Sequence, residues 1–240
     1  MMGIIRKMVI TIRICIIGLK KICLFLDIQE EEMDPELSLF SLLNTESRLN
    51  ELIVRINNWV HQYHLVFDQP LAGTYWEEIL SKSFADIGHE TTWTPNNSHK
   101  VGEDFKISNL IGSSISCKSG VFKHNKTHNL GKCVEFSSSR TISHKTLEEK
   151  LEHLNSHNYD YHFMLSKHMK FDKTYELLII GSEMCKVLDL TWEANKNGKK
   201  GDFVSVSGPF KATITESMSG QLWITLPLDR VMSRRTIGLK

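Results

Sequence analysis

An aspartate heading one short strand candidate and a lysine ending the next carry the most chemistry in this sequence. Gly102-Glu103-Asp104-Phe105-Lys106-Ile107 puts Asp104 at the start of a strand expected over 104–107. Ser114-Ile115-Ser116-Cys117-Lys118-Ser119-Gly120 puts Lys118 at the end of a strand expected over 114–118. Side chains two apart on a strand share a face, so Ser116 and Lys118 point the same way. The neighbouring strand can then bring Asp104 beside them. A carboxylate and an ammonium so placed suit phosphodiester hydrolysis. That reaction needs a hard divalent cation to polarise the phosphate and lower the pKa of a water, carboxylates to hold the cation, and a positive group to stabilise developing charge. Magnesium prefers oxygen ligands and keeps several waters, so few protein carboxylates are needed.

The elements that must position this pair can be read from hydrophobic spacing. Leu49, Leu52, Ile53, Ile56, Trp59, Val60 and Tyr63 recur at three-and-four spacing and predict a helix over 44–64 with one buried face. Asp68-Gln69-Pro70 breaks it. Trp76, Ile79, Leu80, Phe84 and Ile87 predict a second helix over 74–87, closed by Gly88. A short strand is expected over 91–94 and another over 132–137, with a polar, basic loop over 120–131. A helix follows over 146–157, then buried strands over 162–165 and 176–180. A Gly/Lys loop over 195–202 precedes strands over 203–206, 210–214 and 222–225. Helices, then strands with a helix inserted, then more strands read as α/β or α+β with a central mixed β-sheet flanked by helices.

The pair GEDFKI and SISCKSG resembles the signature of the PD-(D/E)XK nucleases, and the chain as a whole resembles a type II restriction endonuclease. The likeness is best over 73–140. In that family an upstream helix is followed by a metal-binding Asp and then an (Asp/Glu)-x-Lys strand. The resemblance implies a restriction-endonuclease-like core and a Mg²⁺-dependent, sequence-specific endonuclease of double-stranded DNA. It makes Asp104 the metal-binding aspartate and Lys118 the catalytic lysine. It adds a backbone carbonyl near Cys117 as a metal ligand, and Glu77 of the GTYWEE helix as the acid completing the site. Glu103 stands where the family often has Pro. Ser116 stands where it usually has Asp or Glu, so a second carboxylate must come from elsewhere: Glu77 or Glu78 on the helix, with Glu77 first, or Glu135 on the following strand. A homodimer cutting the two strands of a palindromic site is a further implication.

Candidate DNA contacts surround this centre. Ser138 and Arg140, in the run after the third strand, suit phosphate and base-edge contacts. Lys123 and Lys126, with His124, His128 and Lys132, form a basic stretch able to track a phosphate backbone. Residues 195–200 offer a similar stretch, and Gln221 is a weaker candidate for reading adenine. His153 and His157 sit four apart on a helix, but no HExxH glutamate lies between them, and exposed helix histidines are the simpler reading. Walker, GxGxxG, GxSxG and paired-cysteine motifs do not occur.

With 240 residues and 41% hydrophobic content, the chain can bury one sizeable core, so residues 33–240 are expected to form a single domain. A net charge of +1 argues neither for nor against a nucleic-acid partner. Five cysteines without a CxxC pair point to free thiols and a cytoplasmic location rather than to disulfides or a zinc finger. Residues 1–32 are apolar and basic. A membrane span there would bury Arg13, Lys20 or Lys21, at roughly 2.5–3.5 kcal/mol for a mid-bilayer charge. A signal peptide would lack its small-residue cleavage site. Met33 opens MDPELSLFSLL, which reads as a natural start before a helix. The segment is therefore expected to be a non-native or poorly ordered extension, with an extra strand as an alternative. Rival readings of the whole chain are a DNA-repair or mobile-element nuclease of the same core, a DNA-binding module without catalysis, and a membrane-associated protein.

Overall fold

The computed structural model describes residues 38–93, 103–125, 131–141, 144–157, 159–167, 172–216 and 220–238, and the backbone alone for 6–16, 22–32, 123–125 and 131. Strands β1 (Arg6–Ile16) and β2 (Ile22–Glu32) pair antiparallel as a hairpin, with Arg6 opposite Glu32. Three helices follow: α1 (Leu39–Asn44), α2 (Glu46–Val66) and α3 (Gly73–Asp86). Then come β3 (Phe105–Lys106), β4 (Ser114–Asn125), β5 (Gly131–Arg140), α4 (Leu147–Asn155), β6 (Tyr161–Lys167) and β7 (Thr174–Gly181). The chain ends in β8 (Thr191–Ala194), β9 (Phe203–Ser207), β10 (Lys211–Thr215), β11 (Gln221–Pro227) and β12 (Ser233–Gly238).

Among the described residues, ten strands form one mixed sheet in the order β12-β7-β6-β4-β5-β11-β10-β9-β8, with β3 paired to β4. Only β4 and β6 run parallel; the other pairs are antiparallel. The protein is thus mixed α+β, a large sheet flanked by a few helices. No helix among the described residues is long and apolar enough to cross a membrane.

Each helix has a local cause. The α2 stripe of Leu49, Leu52, Ile56, Val60 and His64 is buried, as its three-and-four spacing requires. Gly88 follows α3 at φ +88°, a conformation that glycine adopts without a Cβ penalty. Thr146 and Glu149 cap α4 reciprocally: the Glu149 N–H donates to the Thr146 hydroxyl, and the Glu149 carboxylate accepts from the Thr146 N–H.

Alternation along β4 and β6 divides the interior. Ile115, Phe163 and Leu165 pack with α1, α2 and α3, in a core that includes Leu52, Trp76, Leu80 and Phe84. Met164, with Val134 and Phe136 of β5, packs on the opposite face with Leu154 of α4. Every residue of β6 from Tyr161 to Ser166 is buried, as a strand covered on both faces must be.

The strands run longer than their apolar runs suggest. The segment 120–131, expected as a loop, continues β4 to Asn125 and begins β5 at Gly131. Val121 and Phe122 pair with Glu135 and Val134, so the hairpin ladder overrides the polar composition. Gly120 lies inside β4 because a Cβ there would come within 2.5 Å of the Met164 sulfur. The strand expected over 91–94 reduces to a single bridge from Thr91 to Ile107, and Thr94 lies outside the described residues. Strands β8 and β12 are found where none was expected.

Candidate active site

The site begins with a gap in the sheet. One edge of β4 carries β6; the other carries first β3 and then β5. The β3 rungs end at Ile115 opposite Phe105, and the β5 rungs begin at Gly120 opposite Phe136. Residues 116–119 therefore lie on an edge between two partner strands. The Asp104 N–H donates to the Ile115 carbonyl at 2.8 Å, which sets Asp104 at the mouth of the gap. The Cys117 N–H donates to Asp104 Oδ2 at 2.5 Å, so a carboxylate oxygen replaces the missing strand. A strand residue's N–H and C=O lie on the same edge, so the Cys117 carbonyl also points into this gap.

Lys118 Nζ lies 3.8 Å from Asp104 Oδ2, and both side chains are partly buried. The sequence expectation that β3 brings Asp104 beside Lys118 holds. Glu77 of α3 is partly buried. Its charge is felt at the Cys117 thiol. Burial raises that thiol well above its ordinary pKa, the Asp104 and Glu77 carboxylates raise it further, and Lys118 opposes them. Cys117 is accordingly a neutral thiol, and what it offers a cation is its carbonyl. Glu78, the neighbouring candidate, pairs instead with Lys82 at 2.6 Å, one helical turn on.

Glu135 stands apart from this group. It is opposite Val121, three residues beyond Lys118 on the ladder, or about 10 Å along the strand. Its carboxylate accepts from the Thr225 hydroxyl at 3.4 Å. Among the described residues, no three His, Cys, Asp or Glu side chains converge as a metal cluster. At the gap lie the Asp104 carboxylate and the Cys117 carbonyl, and Glu77 is near enough for its charge to act on the Cys117 thiol. An all-oxygen set of that size fits magnesium, which retains waters, and does not fit zinc.

Behind Lys118, on the α4 face, lies a histidine group: His157, whose spacing from His153 was expected to mark exposed helix histidines, and His162, which the sequence reading did not single out. Ser116 is fully buried as the rung partner of His162, and its hydroxyl has no hydrogen-bond partner. His162 is also fully buried; burial pushes its pKa well down, and the Lys118 charge pushes it further. Its ring lies 4.2 Å from that of Tyr159. His157, just past α4, shares a 2.9 Å hydrogen bond through Nδ1 with the Ser139 hydroxyl. Burial, then His153, then Lys118 lower its pKa to about 4. His153 stacks on His144 with ring centroids 4.2 Å apart, and its Nε2–H donates to the Arg140 carbonyl at 3.1 Å. His157 is therefore not an exposed helix histidine. The i,i+4 spacing of His153 and His157, and a histidine inside the apolar run of β6, were the available signals.

The expected DNA contacts are distributed along β5. Ser138 and Arg140 belong to the strand itself rather than to a turn after it. Ser138 bonds the Tyr159 hydroxyl, and Arg140 is exposed opposite Gln221. Lys123 is a strand residue opposite Cys133, not a loop residue. Lys126 lies outside the described residues. The 195–202 loop is drawn together by Asp202, whose Oδ2 accepts from the Lys199 N–H at 3.0 Å. No family model, curated protein or solved structure matches the chain.

Proposed function

We propose that the protein is a Mg²⁺-dependent endonuclease of double-stranded DNA with a restriction-endonuclease-like core, acting at specific sequences as type II restriction enzymes do. The observation that carries this reading is the 3.8 Å approach of Lys118 to Asp104 at a break in the β4 edge, with Asp104 held by the Cys117 N–H. The order of helix, aspartate and x-Lys strand is that of the PD-(D/E)XK nucleases. Asp104, Glu77 and the Cys117 carbonyl would hold the cation. Bound Mg²⁺ would supply Lewis-acid polarisation of the phosphate and a lowered pKa for water. Lys118 holds a positive charge where phosphate charge develops. The Cys117 N–H orients the Asp104 carboxylate, and the buried wall of Ser116 and His162 keeps water from the rear of Lys118. Action as a homodimer, with one centre per DNA strand, is part of the proposal. So is a reducing, cytoplasmic setting, supported by the free thiols Cys117, Cys133 and Cys185.

A second reading, a DNA-binding module without catalysis, is favoured by Ser116 in the acid position and by its complete burial. Digestion of phage DNA separates the two. Discrete fragments formed in Mg²⁺, and lost with EDTA or with Asp104→Ala, are expected of the nuclease. Binding without cleavage across a range of divalent metals would establish the module instead.

A further inference from the structure

At the break between β4 and β5, the face of the sheet away from Lys118 carries a cavity of about 280 Å³. Ser119 and Ser137 are the first residues beyond the last β4–β5 rung, and both line it. Trp223, the rung partner of Ser137 on β11, forms one side. Leu165, the rung partner of Ser119 on β6, continues the floor, and Pro70 and Leu71 of the α2–α3 connection form the opposite wall. Small serines at the floor leave room that larger side chains would fill. Glu135 and Lys167 bring an acceptor and a donor to an otherwise largely apolar rim.

This combination is selective. An indole face, an apolar floor and a mixed set of polar groups match a planar heteroaromatic ring with donors and acceptors on its edge. The volume suits one such ring system and excludes a base pair. Position adds to the match: Ser119 adjoins Lys118 in sequence, so the cavity begins one residue from the Asp104–Lys118 pair.

We propose that this cavity receives one unstacked nucleobase of the DNA strand whose phosphate lies at Asp104 and Lys118. The proposal rests on the nuclease reading for the strand, but the cavity's affinity for a nucleobase does not depend on cleavage. Trp223 stacks on the base, and Ser119, Ser137, Glu135 and Lys167 meet its edge. Unpairing a base costs a few kcal/mol, which favours mismatched or single-stranded sites.

Calorimetric titration of the full chain with each of the four deoxynucleoside 5′-monophosphates, and with deoxyribose 5-phosphate as a baseless control, tests this. At least one mononucleotide is expected to bind tenfold or more tightly than the control. Trp223→Ala and Ser137→Leu should each remove that tenfold difference and leave control binding unchanged. Lys167→Met, at an exposed position, serves if Ser137→Leu does not fold. Equal binding of nucleotides and control overturns the proposal whether or not the protein cleaves DNA. A second arm uses a short single strand containing 2-aminopurine, titrated in Ca²⁺. Fluorescence that changes in wild type and not in Trp223→Ala supports capture from a strand. Tight mononucleotide binding with no response from the strand overturns that part and assigns the cavity to free nucleotides. Absence of cleavage in Mg²⁺ with base binding intact would remove the nuclease reading alone.

Discussion

Ser116 and His162 occupy one rung of the parallel ladder between β4 and β6, and neither side chain reaches solvent. The rung places a hydroxyl without a partner at the position where a PD-(D/E)XK nuclease carries an acid. Ser116→Ala is expected to change unfolding free energy by less than about 1 kcal/mol, since no hydrogen bond is lost. Ser116→Asp should destabilise by about 3 kcal/mol or more, because it buries a carboxylate. Urea unfolding followed by circular dichroism checks both. A stable and more active Ser116→Asp would show that the acid belongs at this rung and that Glu77 is not its substitute.

The proposed nuclease function makes Asp104 and Lys118 act together, so removing either is expected to reduce cleavage sharply. Asp104→Asn and Lys118→Met are each expected to lower the cleavage rate by about 10²–10³-fold or more, the scale of losing one stabilising group at a reacting centre. Both should remain folded. Supercoiled plasmid nicking in Mg²⁺ measures the loss; retention of more than a tenth of wild-type rate in Lys118→Met would remove that residue from the chemistry.

The proposed function assigns the second carboxylate to Glu77 on α3. Glu77→Gln should lower activity at fixed Mg²⁺ and raise the Mg²⁺ concentration needed for half-maximal rate. Glu78→Gln should leave both unchanged, since Glu78 pairs with Lys82 on the helix surface. Equal behaviour of the two variants would count against Glu77 as a ligand.

Stability should fall with acid through two histidines. The folded-state pKa of His157 is about 4 against an ordinary 6.5, and that of buried His162 is also well below 6.5. Between those values the unfolded chain binds protons that the folded chain does not. Stability is therefore constant in these groups above pH 6.5 and declines as pH drops, by up to about 1.4 kcal/mol per pH unit for each histidine. For His157 the decline ends near pH 4. Urea midpoints from pH 4 to 8 should follow this course, and His157→Gln should flatten it. An unchanged slope in that variant would place the proton uptake elsewhere.

Tyr175 fixes the α2–α3 connection that walls the cavity. Its hydroxyl accepts from the Leu71 N–H at 2.9 Å and lies 3.0 Å from His64 Nε2. The phenol proton therefore goes to Nε2, and His64 Nδ1–H donates to the Phe67 carbonyl at 2.9 Å. Tyr175→Phe removes the hydroxyl that accepts from the buried Leu71 N–H and meets His64 Nε2, and should cost about 1–3 kcal/mol. Scanning calorimetry would register this as a lower Tm; an unchanged Tm would show that water replaces the hydroxyl.

Local pattern alone marks the helices and the Asp104–Lys118 pair. Leu49 to Val60 and Trp76 to Phe84 repeat at helical spacing, and that periodicity depends only on neighbours a turn away. Asp104 and Lys118 were legible because a short turn joins adjacent antiparallel strands, so proximity in sequence became proximity in space. The remaining features of the fold depend on pairing between residues far apart in the chain. Strand β12 packs against β7 across more than fifty residues, and no local pattern in Ser233–Gly238 announces that partner. Residues 120–125 look like part of a loop by composition and extend β4 because Val121 and Phe122 find Glu135 and Val134. His157 and His162 come to Lys118 from α4 and β6 through the parallel crossover, and the cavity beside Trp223 lies where the β4–β5 ladder ends at the Gly120–Phe136 rung. Local free energies select helices and turns, whereas rungs between distant strands are chosen by the burial of both faces at once.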